Sequence, residues 1–261
     1  MRRAALLVVG FLALTACAAR TPARPDAPGA PYPGAIESFN VATAQCKGLS
    51  SVTAAMRLSG RAGDERLRGT LITGLAAPAS VRFEAVAPFG QPVFILAGSE
   101  GRATLLLPRD HMVLRDAPLP DVLQRLTGLR LTAEDLRMLL SGCLAPAAIP
   151  DDPRQYNNDW QSVSLGDQRI VYLRTIDGRP RIVAADDGQW HVDYSQFQND
   201  WARQVRIRST SGDVDMTAVL EDLEVNTPID PRAWEVEVPA DAKPITLDHL
   251  RSVVPLREPQ T

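Results

Sequence analysis

Between residues 51 and 107 apolar and polar positions alternate in short runs divided by Gly and Pro, the period-two pattern of strands with one dry face and one wet face. Strands are expected at 51–59, 66–73, 80–87, 92–98 and 102–107. In the third of these Val81, Phe83 and Ala85 interleave with Arg82 and Glu84. By contrast, Val93 to Ala97 and Leu105 to Leu107 are apolar without a break, as expected of strands covered on both faces. Helical spacing replaces alternation in mid-chain. Leu119, Val122, Leu123 and Leu126 form one stripe ending at Gly128. Leu136, Leu139, Leu140 and Cys143 form a second, which opens at Thr132, a residue able to accept from the exposed amides of the first turn, and closes at Gly142. A first short helix is read over Ile36 to Cys46, stopped by Gly48. After Pro153 alternation returns, with Asp177-Gly178, Asp187-Gly188 and Ser211-Gly212 placed as hairpin turns. The pattern predicts a mainly β fold with helices: about eleven antiparallel strands in a strongly curved sheet whose concave side is closed by helices.

The first residues follow another logic. Arg2 and Arg3 precede an apolar run from Ala4 to Leu14, and Leu14-Thr15-Ala16-Cys17 follows. A run of eleven residues spans about half of a hydrocarbon core that takes about 20 helical residues, so residues 1–16 read as a removable export signal. The tetrad resembles the lipobox of bacterial lipoproteins, which implies that Cys17 carries the lipid, with acyl chains such as palmitate, and begins the mature chain. An Asp after that Cys commonly retains such proteins at the inner membrane. Here the residue is Ala18, so the resemblance implies the periplasmic face of the outer membrane.

Residues 17–34 carry Pro at 22, 25, 28, 31 and 33 and are expected to form an extended tether of roughly 50 Å. A single body over 35–227 and a C-terminal extension over 228–261 complete the expected organisation. The formal charge of −3 gives no reason to expect nucleic acid as a partner. Cys46 and Cys143 remain after Cys17. In an oxidising compartment an even pair is expected to bridge, closing a loop of about 100 residues, with two buried free thiols as the alternative.

Groups that perform covalent chemistry are not assembled in the sequence. G-x-S-x-G, H-E-x-x-H and the phosphate-cradling glycine motifs are absent. His111, His191 and His249 stand apart from one another, and His191 reads as a polar strand residue. The pairs Asp151-Asp152 and Asp186-Asp187 stand beside Pro or Gly, where Asx turns account for them. The expectation is a protein that is not an enzyme and uses neither cofactor nor metal.

The segment Phe83 to Leu96 with its Pro88-Phe89-Gly90 loop, then Leu126-Thr127-Gly128, Ser141-Gly142 and the Trp-containing run Gly188 to Tyr194, resembles the outer-membrane lipoprotein receptor LolB and the LolA/LolB superfamily. That resemblance implies a half-open antiparallel β-barrel with a helical lid, whose hydrophobic concavity holds acyl chains of lipoproteins, received from a periplasmic carrier protein. It implies that Phe89 enters the bilayer. A turn Phe folded back on the core is the alternative. Candidate cavity residues are Phe83, Phe94, Leu96 and Leu105 from strands and Leu123, Leu126, Leu136 and Leu139 from helices. Each is also what an ordinary core would contain. The second function class is an assembly lipoprotein whose barrel is filled by its own side chains and which grips a protein partner.

Overall fold

The computed structural model describes residues 24–25, 27–86, 92–144, 149–157, 159–166 and 168–253. The export signal over 1–16, Cys17 and the Pro88-Phe89-Gly90 loop lie outside them. The chain forms β1 (Ala30–Pro31), α1 (Gly34–Thr43), β2 (Ser51–Ala62), β3 (Glu65–Ala76), β4 (Ser80–Val86), β5 (Phe94–Ser99), β6 (Arg102–Leu107) and β7 (Met112–Pro118). The helices α2 (Leu119–Thr127) and α3 (Ala133–Ser141) follow. Then come β8 (Asp151–Gln155), β9 (Gln161–Ser164), β10 (Ile170–Ile176), β11 (Arg179–Asp186), β12 (Trp190–Gln198), β13 (Trp201–Ser209) and β14 (Val214–Val225). The last elements are β15 (Lys243–Pro244) and α4 (Leu247–Val253).

All strands join one sheet in the order β1-β8-β9-β10-β11-β12-β13-β14-β2-β3-β4-β5-β6-β7-β15. The fold is therefore mainly β with few helices, built on a large curved antiparallel sheet that does not close. The expected count of about eleven strands is corrected to fifteen among the described residues. The additions are short or irregular. β1 and β15 are two residues long, β8 reads Asp-Asp-Pro-Arg-Gln without an apolar stripe, and β7 contains a register shift, with Asp116 at φ 48°. Each lacks the unbroken alternation by which a strand is recognised. Both outer strands contain proline, which cannot donate to another strand, so the open edges are poor templates for further pairing.

The two halves of the meander meet where β14 pairs with β2, from Val214 opposite Ala62 to Val225 opposite Val52. Inward positions of β2 to β5, β13 and β14 then share one concave face, which α2 and α3 cover. Thr132 and Asp135 form a reciprocal capping box at the start of α3, with Asp135 N donating to Thr132 Oγ1 at 3.0 Å and Thr132 N donating to Asp135 Oδ2 at 2.9 Å. Gly128 and Gly142 end the two helices at φ 77° and 73°, a conformation that costs a glycine little. The helix α1 covers the other end of the sheet, burying Ala35 and Phe39 against β8 to β11.

Residues on either side of the main meander are built into this body. Ala30 and Pro31, expected in the tether, pair with Gln155 and Arg154. Arg24 ion-pairs with Asp186 and with Asp193, the latter at 2.8 Å. At the other end, Arg82 donates to the carbonyls of Ala233 at 3.1 Å and Glu235 at 3.3 Å, which holds residues 231–234 across the outer face of β4 and β5. That coverage, with the helices on the inner face, explains why β5 is apolar on both sides. The pairing of β15 with β7 is parallel, and α4 packs on α2 with Leu250 fully buried. Between residues 228 and 253 the chain thus packs on the body. No helix among the described residues is long and apolar enough to cross a membrane.

Candidate functional site

A hollow lies between the concave face and the two covering helices. Its strand walls include Met56, Leu71, Phe83, Phe94 and Leu96, and its helix walls include Leu123, Leu126, Leu136 and Leu139. Seven of the eight candidate residues are brought together here. Leu105, the eighth, is fully buried but does not reach the hollow. It stands opposite Leu114 on β7, and α2 packs directly on β6 and β7, so Leu105 is sealed beneath the helix as core.

The wall is apolar but for one side chain. Its single polar side chain is Thr127, whose hydroxyl donates to Leu123 O at 2.9 Å within the helix and accepts from Leu129 N at 3.2 Å. A hollow with no free polar partner does not hold ordered water well and favours hydrocarbon. Its volume is about 90 Å³. Ligand pockets commonly measure roughly 300–1,000 Å³, so the hollow in this conformation is too small for a whole acyl chain.

The sequence expectation left out one side of the wall. Val205, Ile207, Met216 and Ala218 from β13 and β14 complete it. Their alternation with Arg206, Arg208 and Asp215 marks a dry face in the sequence, but only the pairing of β14 with β2 turns that face toward the lid.

Two bonds hold α3 to the sheet side. The Tyr194 hydroxyl donates to Leu139 O at 3.0 Å. Full burial pushes the Tyr194 phenol far above its ordinary pKa, so it stays a neutral donor. Beyond the C-terminus of α3, Cys143 is disulfide-bonded to Cys46 across a separation of 97 residues.

The polar candidates lie elsewhere. His191 is on the outer face, with Nδ1 2.5 Å from Asp186 Oδ1 and 3.0 Å from Arg24 Nη1. Burial, then the Arg24 and Arg208 cations, hold its pKa below the ordinary imidazole value. Asp187 accepts from the amides of Gln189 at 3.1 Å and Trp190 at 2.8 Å, which is an Asx turn leading into β12. His111 contacts Asp241 at 3.1 Å on the surface. Among the described residues no group of three or more His, Cys, Asp or Glu side chains is placed to hold a metal ion.

No protein-family model matches the chain, and no curated protein matches it. Solved structures do. One, an outer membrane lipoprotein-sorting protein domain from Vibrio parahaemolyticus, is 12% identical, with TM-score 0.45 over 77% of this chain and 97% of that one. A DUF1329 family protein from Desulfovibrio piger is 11% identical, with TM-score 0.48 over 77% of this chain and 97% of that one. A LolA superfamily protein from Nitrosomonas europaea is 11% identical, with TM-score 0.45 over 79% of this chain and 98% of that one. Two of the three thus bear the name of the superfamily, or of the sorting function, to which the sequence motifs point. At these scores the likeness carries no argument about function, which rests on the hollow itself.

Proposed function

We propose that this chain is a lipid-anchored envelope protein that takes acyl chains into the hollow beneath α2 and α3 and serves the localisation of lipoproteins or lipids to the outer membrane. The observation that carries this reading is the wall: an apolar concavity closed by two amphipathic helices, with its one polar side chain already satisfied. Each buried methylene is worth about 0.8 kcal/mol against water, and a dry cavity matches a bilayer in this respect, so a chain can pass between them near balance. Near-balanced exchange suits a receiver or carrier of acylated cargo. In this reading Cys17 holds the anchor at the periplasmic face of the outer membrane, Phe89 is the residue that enters the bilayer, and a periplasmic carrier protein delivers the cargo. The protein performs no covalent chemistry.

A second reading is favoured by the size of the hollow. At about 90 Å³ the interior is nearly filled by its own side chains, as in a scaffold that binds a protein partner through its surface. The test is native mass spectrometry of the mature chain carrying Cys17→Ser, purified from a periplasm and then titrated with a fluorescent fatty acid. Co-purified lipid, displaced stoichiometrically by the probe, supports acyl binding. Absence of lipid together with failure to take up the probe overturns acyl binding and leaves the scaffold.

A further inference from the structure

The lid carries a buried cation. Arg137 of α3 is 5% exposed, and its Nε and Nη1 have no hydrogen-bond partner. A guanidinium does not shed its proton in a protein, so burial cannot be relieved by neutralisation. An uncompensated buried charge is strongly unfavourable. Other arginines with an unpartnered nitrogen differ. In Arg174, Arg181, Arg203 and Arg208 it is Nε alone. Of these, Arg181 and Arg208 are ion-paired with Asp200 and Asp193, and Arg174 lies over the Trp160 ring.

A second unmet group belongs to the sheet. Thr73 is 2% exposed and its hydroxyl has no partner. It lies on the inward face of β3 between Leu71 and Leu75, and its cross-strand neighbour in β4 is Phe83. Leu71 and Phe83 both line the hollow. Arg137 in turn follows Leu136 and precedes Leu140 by one helical turn, and both of those leucines line it too. The helix α3 packs on β2, β3 and β13. Neither group lines the hollow itself, but each stands beside residues that do, one on the sheet and one on the lid helix.

Buried polar groups in native proteins are almost always partnered, and a pair left open beside an apolar hollow is the form of a site for an amphiphile. Guanidinium recognises carboxylate and phosphate through charge-assisted hydrogen bonds, whereas a neutral lipid head gives it nothing to neutralise. We propose that Arg137, assisted by the Thr73 hydroxyl, binds the anionic head, carboxylate or phosphate, of a lipid whose acyl chain occupies the hollow. The proposal rests on the acyl-binding reading and narrows its ligand class to acid-headed lipids.

The test is calorimetric titration of the mature Cys17→Ser chain with palmitate, hexadecyl phosphate and neutral hexadecanol, repeated in Arg137→Leu and Thr73→Val. The unsubstituted chain is expected to bind at least one acid-headed probe about tenfold or more tighter than hexadecanol. Arg137→Leu is expected to bring that ratio close to one while hexadecanol binding stays within about twofold, and Thr73→Val to lower the ratio less. Preference for palmitate assigns the head to a fatty acid, and preference for hexadecyl phosphate to a phospholipid. Equal affinity for all three in the unsubstituted chain, or equal loss of all three in Arg137→Leu, overturns the anionic site while leaving acyl binding intact. Failure to bind any of them overturns both. Thermal unfolding of the ligand-free chain gives an independent readout. Removing an unpartnered buried charge is expected to hold or raise Tm, so a lowered Tm in Arg137→Leu assigns Arg137 a structural role and overturns its role in binding.

Discussion

The Tyr194 hydroxyl of β12 donates to the carbonyl oxygen of Leu139 in α3 at 3.0 Å, a hydrogen bond that runs from the sheet to the lid next to a residue of the hollow's wall. Tyr194→Phe removes the donor and keeps the ring. The expected loss is about 1 kcal/mol of stability, together with faster uptake of a fatty-acid probe as the lid loosens. The same bond sets an alkaline limit. The folded-state pKa of Tyr194 is raised, so its contribution is fully present below the unfolded phenol value of about 10 and declines as pH rises above it. Denaturant unfolding followed from pH 8 to 11 should therefore show a steeper alkaline loss in the unsubstituted chain than in Tyr194→Phe.

The bridge between Cys46 and Cys143 restrains the other end of α3. Its separation of 97 residues corresponds to as much as about 4.7 kcal/mol in the chain-entropy description. Non-reducing peptide mapping should recover the two cysteines in one linked species. The Cys46→Ser, Cys143→Ser double variant should unfold at lower denaturant and exchange acyl probes faster, because the stretch after α3 is then free of the segment after α1. Unchanged stability would remove the bridge from the forces that hold the lid.

Ala218 forms part of the wall on β14. Ala218→Leu places added methyl groups against a hollow of about 90 Å³, so stability should fall by no more than about 1–3 kcal/mol while probe uptake falls at least about tenfold. Uptake unaffected by this substitution would move the acyl site away from the hollow.

Leu250 is fully buried, and its helix α4 packs on α2. Leu250→Ala is expected to cost about 2–5 kcal/mol, measured by denaturant unfolding. A cost near zero would make α4 an appendage and not part of the body.

Phe89→Glu is expected to leave thermal unfolding unchanged and to reduce delivery of acylated cargo into liposomes. Undiminished delivery would remove Phe89 from the membrane-entering role.

Local signals were legible because neighbours along the chain decide them. The Thr132 cap with Asp135, the glycine stops at Gly128 and Gly142, and the turns at Asp177-Gly178 and Ser211-Gly212 each depend on a few consecutive residues whose backbone preferences are intrinsic. The β12–β13 turn was harder to read. Gln196 takes φ 55° and interrupts the alternation, so the sequence pattern ends at Tyr194 while the strand continues to Gln198.

The apolar character of Phe83, Phe94, Leu123 and Leu139 was equally plain in the sequence, as was the dry stripe of β13 and β14. Period-two and helical patterns state that a face is dry but not which other face dries it. The tertiary structure decided that β14 pairs with β2, that Leu105 lies beneath α2 while Leu96 reaches the hollow, and that residues 231–234 cover the outer face of β4 and β5. It also decided that Arg137, by its type a surface residue, is buried on the lid. Burial and strand partnership are set by groups tens to hundreds of residues away. No local preference encodes them, and they exist only once the sheet has curved around its helices.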